Sequence, residues 1–144
     1  MAIYGFGSTL DGEEFKDEFF NDEKIILGWN AENAQDLYSL VSRIKIGDII
    51  YLKTNQPGGR TVKIKGIGVV TKGFLECFID GDYNSADITE WNSFSIKVKW
   101  IRKKEFEIEI PESSGKLTNM RAATAYEEYL PFVQEEIIKK LFKL

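Results

Sequence analysis

The chain has no histidine, a single cysteine and only three prolines in 144 residues. It also has no apolar run near the roughly 20 residues that a membrane-spanning helix needs. Without imidazole there is no Ser-His-Asp or Cys-His catalysis, no His-ligated zinc and no histidine acid or base. One cysteine, Cys77, forms neither an internal disulfide nor a cysteine-based zinc site. The opening MAIYGFGSTLDGEEF lacks a basic segment followed by an apolar stretch, so the expected location is cytoplasmic. No nucleophile stands beside a recognisable base, and the chain is expected not to be an enzyme and to need no cofactor or metal.

What is present is a charge pattern that the net value of -4 conceals. Arg43 to Lys72 carries seven basic residues against one acid, Asp48, and Lys97, Lys99, Arg102, Lys103 and Lys104 form a second basic cluster. Acids gather in DGEEFKDEFFNDE, in Glu76 to Glu90 and in EFEIEIPE. Were the two basic segments neighbouring strands, one face would attract phosphates; a solvated face with no partner is the alternative.

The periodicity predicts one α+β domain spanning 1–144. IYGFG reads as a short strand, and EEFKDEFFND, with Phe15 and Phe19 at helical spacing, as one or two helical turns. Lys24 to Trp29 reads as a buried strand, followed by a helix capped by Asn30 or Asn33 with Leu37, Leu40, Val41 and Ile44 as its apolar stripe. IIYLKT and TVKIKGIGVVTKGF read as an antiparallel hairpin across QPGGR, and Gly66 and Gly68 call for a bulge, a bend or a close approach. FIDGDYNSADITEW reads as a loop. SFSIKVKWIR and EFEIEI are alternating strands that place Trp100 inward. From Thr124, which with Glu127 fits a capping box, a helical stripe runs to Leu141, kinked or restarted at Pro131. The sum is a small curled sheet or β-barrel of five or six strands with flanking helices and a C-terminal helical segment.

Three apparent motifs fail on spacing. SSGKLT misses the phosphate-loop pattern because Leu117 follows Lys116, GFGST lacks the third glycine of a dinucleotide fingerprint, and DGDYNSAD lacks the later glycine and glutamate of a calcium loop. Arg121, placed before the last helix, is a candidate anion contact or else the partner of a surface carboxylate.

GWN at 28–30, KIGDIIYLKT at 45–54, IKGIGVV at 64–70 and SIKVKW at 95–100 together resemble the PUA-like superfamily, in particular its EVE and YTH-like branch. The resemblance covers roughly residues 3 to 110. It implies a small barrel that binds nucleic acid, with an aromatic pocket for a single, often methylated, base. Trp29 and Trp91 are then candidate walls, Asn30 and Ser8 candidate readers of the base edge, and Lys53 a rim cation, with Arg121 beside them. Arg60, Lys63, Lys65, Lys97 and Lys99 would hold the backbone. Trp29 standing at a strand end could equally plug the rim of the core. The acidic loop GDYNSAD opposes a phosphate backbone, and so a free nucleotide or small signalling molecule is the alternative ligand. A structural or oligomerising role, with the aromatics in core and interface, is a third reading. Oligomeric state is not legible in the chain.

Overall fold

In the computed structural model, residues 1–10, 12–29, 31–55, 58–82, 95–117 and 119–143 are described. The elements run β1 (Ile3–Gly7), β2 (Thr9–Leu10), β3 (Glu13–Glu14), α1 (Lys16–Asp22), β4 (Lys24–Ile26), α2 (Gln35–Val41), β5 (Ile49–Asn55), β6 (Thr61–Lys72), α3 (Phe74–Ile79), β7 (Ser95–Arg102), β8 (Phe106–Glu109), β9 (Ala125–Glu127) and α4 (Pro131–Phe142). Short 3₁₀ turns lie at Ala31–Asn33, Glu112–Ser114 and Asn119–Ala122.

A curled sheet runs in the order β4-β7-β6-β5-β1-β9, and β8 continues the edge of β6 beyond β7. The expected hairpin is β5 with β6, antiparallel from Ile49↔Val69 to Asn55↔Val62. β1 pairs with β5 in parallel, Ile3↔Ile49 through Gly7↔Lys53, so the carboxyl ends of these two strands lie together. Alternation on β5 sends Ile50 and Leu52 to one core and Ile49 and Tyr51 to the other. The first core includes Phe19, Phe20, Val41 and Phe74 from α1, α2 and α3. The second takes Val133, Ile137 and Leu141 from α4. Helices therefore cover both faces, and β5 is apolar on both sides, as a central strand must be.

Gly66 and Gly68 serve close approach. A Cβ on Gly66 would stand 2.6 Å from the Phe20 ring, and one on Gly68 would run into Val98. The ladder shifts register between Leu52 and Lys53 and again between Ile67 and Gly68. Trp100 is core as expected: it meets Phe20 edge-on at 5.1 Å and donates its indole N–H to the Phe19 carbonyl at 2.8 Å.

Three expectations change. The stretch around Thr124 and Glu127 is not helical: Ala125–Glu127 pairs with β1, and the helix starts at Pro131, whose missing N–H costs nothing at the first helical position. Ala34, not an asparagine, occupies the N-cap of α2, and no side chain caps it. Phe74–Ile79 forms a helix that the sequence reading passed over and that takes Phe78 and Ile79 from the loop expected at 78–91, of which 83–91 lies outside the described residues. Among the described residues no helix is long and apolar enough to cross a membrane.

Candidate functional site

The parallel pairing of β1 with β5 sets the site. Where the two strands end, Ser8 and Lys53 come side by side, and the segment 123–125 closes over them, with the Gly7 N–H donating to the Thr124 carbonyl at 2.8 Å. Two cavities flank that segment and share Ala123 and Thr124 as walls.

The first cavity, about 350 Å³, is walled by Trp29, Leu37, Leu40 and Ala125, with Asn33 and Asp36 at its polar edge. Its size falls within the range of small-molecule pockets, and its walls are mainly apolar, as such pockets require. Trp29 is 49% exposed, so its ring is not a core plug. Its backbone is nevertheless pinned: the Tyr38 hydroxyl on α2 donates to the Trp29 carbonyl at 2.6 Å. Burial pushes the Tyr38 phenol up to about 12, so it stays a donor through the physiological range. Tyr38 in turn packs edge-on against Phe74 at 5.4 Å.

The second cavity, about 220 Å³, is lined by Gly7, Ser8, Thr9, Lys53 and Thr54 together with the shared wall. Lys53 is 7% exposed and donates to the carbonyls of Arg121 at 2.5 Å and Ala123 at 3.0 Å. Its ammonium also stands 5.4 Å from the centre of the Tyr126 ring. Burial lowers its pKa to about 8, and the neighbouring Lys65 adds to the fall. Lys65 itself is buried and satisfied, donating to Ser8 Oγ at 2.9 Å and to Glu14 Oε2 at 2.7 Å. Ser8 passes its own proton toward Glu14 Oε1 at 2.5 Å. Burial works against ionisation of Glu14, but the hydrogen bonds from Lys65 and Ser8 outweigh it and hold the carboxyl below its ordinary value.

Behind this cavity is a buried polar network that sequence reasoning missed. Arg121 donates from Nε and Nη2 to the two oxygens of Glu128, at 2.9 and 2.5 Å. Tyr51 donates to Glu128 Oε1 at 2.8 Å and shares a 2.9 Å hydrogen bond with the Tyr126 hydroxyl. Glu128 Oε2 also accepts the Leu130 N–H at 3.1 Å. The Nε–Nη2 edge of the Arg121 guanidinium is thus committed to Glu128, and Arg121 lies in the 3₁₀ turn Asn119–Ala122, not at the start of α4.

The structure thus brings Ser8, Trp29 and Lys53 to one end of the sheet. Ser8 is fully buried, and its hydroxyl accepts from Lys65 and donates to Glu14. Asn30 and Trp91 lie outside the described residues. Of the cations expected to track a backbone, Arg60, Lys63, Lys65 and Lys99 have protein acceptors. Arg60 donates to the carbonyls of Pro111 at 3.0 Å and Gly115 at 2.8 Å. Lys63 pairs with Glu105 at 3.1 Å, and Lys99 with Glu23 at 3.4 Å. Lys97 stands on β7 opposite Lys24 and Lys72. Lys72 itself is held by Asp80 at 2.6 Å and by Asp82. The two basic segments do meet on β6 and β7, but the acidic segments fold against them. Among the described residues no three metal-binding side chains converge.

No protein-family model matches the chain, and no curated protein matches it.

Proposed function

We propose that this chain is a non-catalytic binding module, PUA-like and of the EVE and YTH-like kind, that holds one planar base against Trp29. The observation that carries the reading is the half-exposed Trp29 ring on a largely apolar cavity of about 350 Å³ where β1 and β5 end. An aromatic face offers about 1–3 kcal/mol of stacking to a base, and it does so without demanding a particular base. Asn33 and Asp36 at the cavity edge supply the polar contacts that orient such a guest.

The internal pairing of Lys63, Lys65 and Lys99, and the carbonyl contacts of Arg60, favour a free nucleotide over a base within a strand. DNA or RNA is the second reading, supported by the adjacency of the basic strands β6 and β7, whose Lys63 and Lys99 are about half exposed and able to exchange partners. Thermal denaturation with mononucleotides and with short single-stranded oligonucleotides tests both. Mononucleotides should raise the melting temperature, and Trp29→Ala should remove that rise while leaving the melting temperature of the ligand-free protein nearly unchanged. If Trp29→Ala responds to nucleotides like the parent, or if neither ligand class shifts the parent, base recognition at this pocket is wrong.

A further inference from the structure

A buried charge needs a counter-charge or full hydrogen bonding, because desolvating an ion costs far more than desolvating a neutral polar group. Lys53 has neither in full. Its ammonium has three N–H donors, and two of them meet the carbonyls of Arg121 and Ala123. Among the described residues no third acceptor and no paired carboxylate reaches it, although it is 7% exposed. Glu14 is already taken by Lys65, Ser8, Thr9 and the Lys16 N–H. Lys65 with Glu14 is a neutral pair, so Lys53 leaves one net positive charge at this cavity. The cavity is otherwise lined by hydroxyl-bearing Ser8, Thr9, Thr54 and Thr124 and by the backbone of Gly7.

We propose that the 220 Å³ cavity is the anion compartment of a two-part site, in which Lys53 takes the phosphate of the nucleotide whose base stacks on Trp29. Thr124, common to both cavities, is the sill between them, where the sugar of such a ligand would cross. The inference rests on the base reading given above and narrows it: the preferred ligand is a nucleoside monophosphate, not a nucleoside. A charge-assisted hydrogen bond within a buried cavity supports a preference of about tenfold or more.

Calorimetric titration of the full chain with the four ribonucleosides, their 5′-monophosphates and inorganic phosphate tests the proposal. Monophosphates are expected to bind at least about tenfold tighter than the matching nucleosides, inorganic phosphate to bind weakly, and Lys53→Met to abolish that difference and the phosphate binding while nucleoside binding persists. Equal affinity of nucleoside and monophosphate, with no phosphate binding, overturns the anion compartment and leaves the base pocket standing. Phosphate binding without any nucleoside binding keeps the anion compartment and removes the base pocket, and silence from all three ligands removes both.

Should Lys53→Met fail to fold, the parent's pH profile serves instead. Above the second ionisation of phosphate, near pH 6, the charge on the phosphate is constant. The adenine and cytosine ligands, whose bases carry no proton that ionises in the alkaline range, serve for the profile. The groups facing Lys53 are Lys65 with Glu14, Tyr126, and Arg121 with Glu128, and burial lowers the Lys53 pKa to about 8. The monophosphate preference is then expected to be full at pH 6.5 and to disappear as pH climbs from about 8 toward the 10.5 of an ordinary lysine. A preference unchanged across that span overturns the role of Lys53.

Discussion

Glu128 shows how much a single buried carboxylate organises. It accepts from Arg121, Tyr51 and the Leu130 N–H, and its side chain is wholly buried. Glu128→Gln keeps the shape but strands the Arg121 guanidinium, and breaking a buried pair in this way costs about 3–5 kcal/mol, to be read as a lowered urea midpoint. Asp48 offers a test by pH. Its carboxylate accepts the backbone N–H groups of Ala2 and Lys45 and pairs with the Lys45 ammonium at 2.9 Å. Burial opposes ionisation of Asp48, yet these hydrogen bonds prevail and lower its pKa. A lowered folded pKa means that the stabilisation is present above the unfolded carboxyl value and is lost as pH falls through the folded one. The midpoint of urea unfolding should drop between pH 5 and pH 3, and less steeply in Asp48→Asn; parallel profiles would show that Asp48 does not contribute. Lys53 was legible in part, since it shares strand parity with Ile49 and Tyr51 and so falls on their face of β5. Arg121 was not, because nothing near it in the chain announces Glu128 as its partner.

At the scale of elements, β1 is the strand on which the site depends. It pairs with β5 on one side and β9 on the other, and Gly5 makes room for the Tyr126 ring, which a Cβ there would meet at 2.5 Å. Because that ring is buried and hydrogen-bonded to Tyr51, it cannot swing away cheaply. Gly5→Ala is expected to cost about 1–3 kcal/mol in thermal or chemical denaturation, and an unchanged midpoint would show that β9 yields. The same pairing explains why Ala125–Glu127 is a strand despite its helix-like spacing. A free sheet edge beside β1 gains backbone hydrogen bonds that one isolated helical turn could not match. The α2 and α4 stripes were legible because their period is local. The short α3 was obscured by a polar stretch, and the strand Ala125–Glu127 by an apolar pattern shared with the helix; the start at Pro131 was one of the two outcomes its position allowed.

For the whole molecule, the distribution of charge decides what kind of polymer could be bound. Acidic strands and turns lie against the basic ones, so that Lys63 and Lys16 share Glu105, Lys72 sits between Asp80 and Asp82, and Lys99 meets Glu23. Few condensed counterions would then be released from a nucleic acid on binding. Affinity for an oligonucleotide should exceed that for its mononucleotide by little, with a shallow dependence on salt concentration. A steep slope that flattens in Lys63→Ala/Lys99→Ala would instead establish a backbone track and favour the strand reading. The surface pairs themselves are worth little to stability, so this double substitution should leave the fold intact.

The sequence by itself determined that these 144 residues carry no imidazole, and with it the alternation of the strands, the β5–β6 hairpin, the inward Trp100 and the α+β class. Each of these follows from composition or from a period read within a few neighbouring residues. Only the tertiary structure decided which cations are free to act, because the partners are far apart in the chain: Lys65 meets Glu14 51 residues away, and Lys53 meets Ala123 70 residues away. The same long-range closure set Trp29 and Lys53 on either side of Thr124, an adjacency that depends on β1 lying parallel to β5 and on no local pattern.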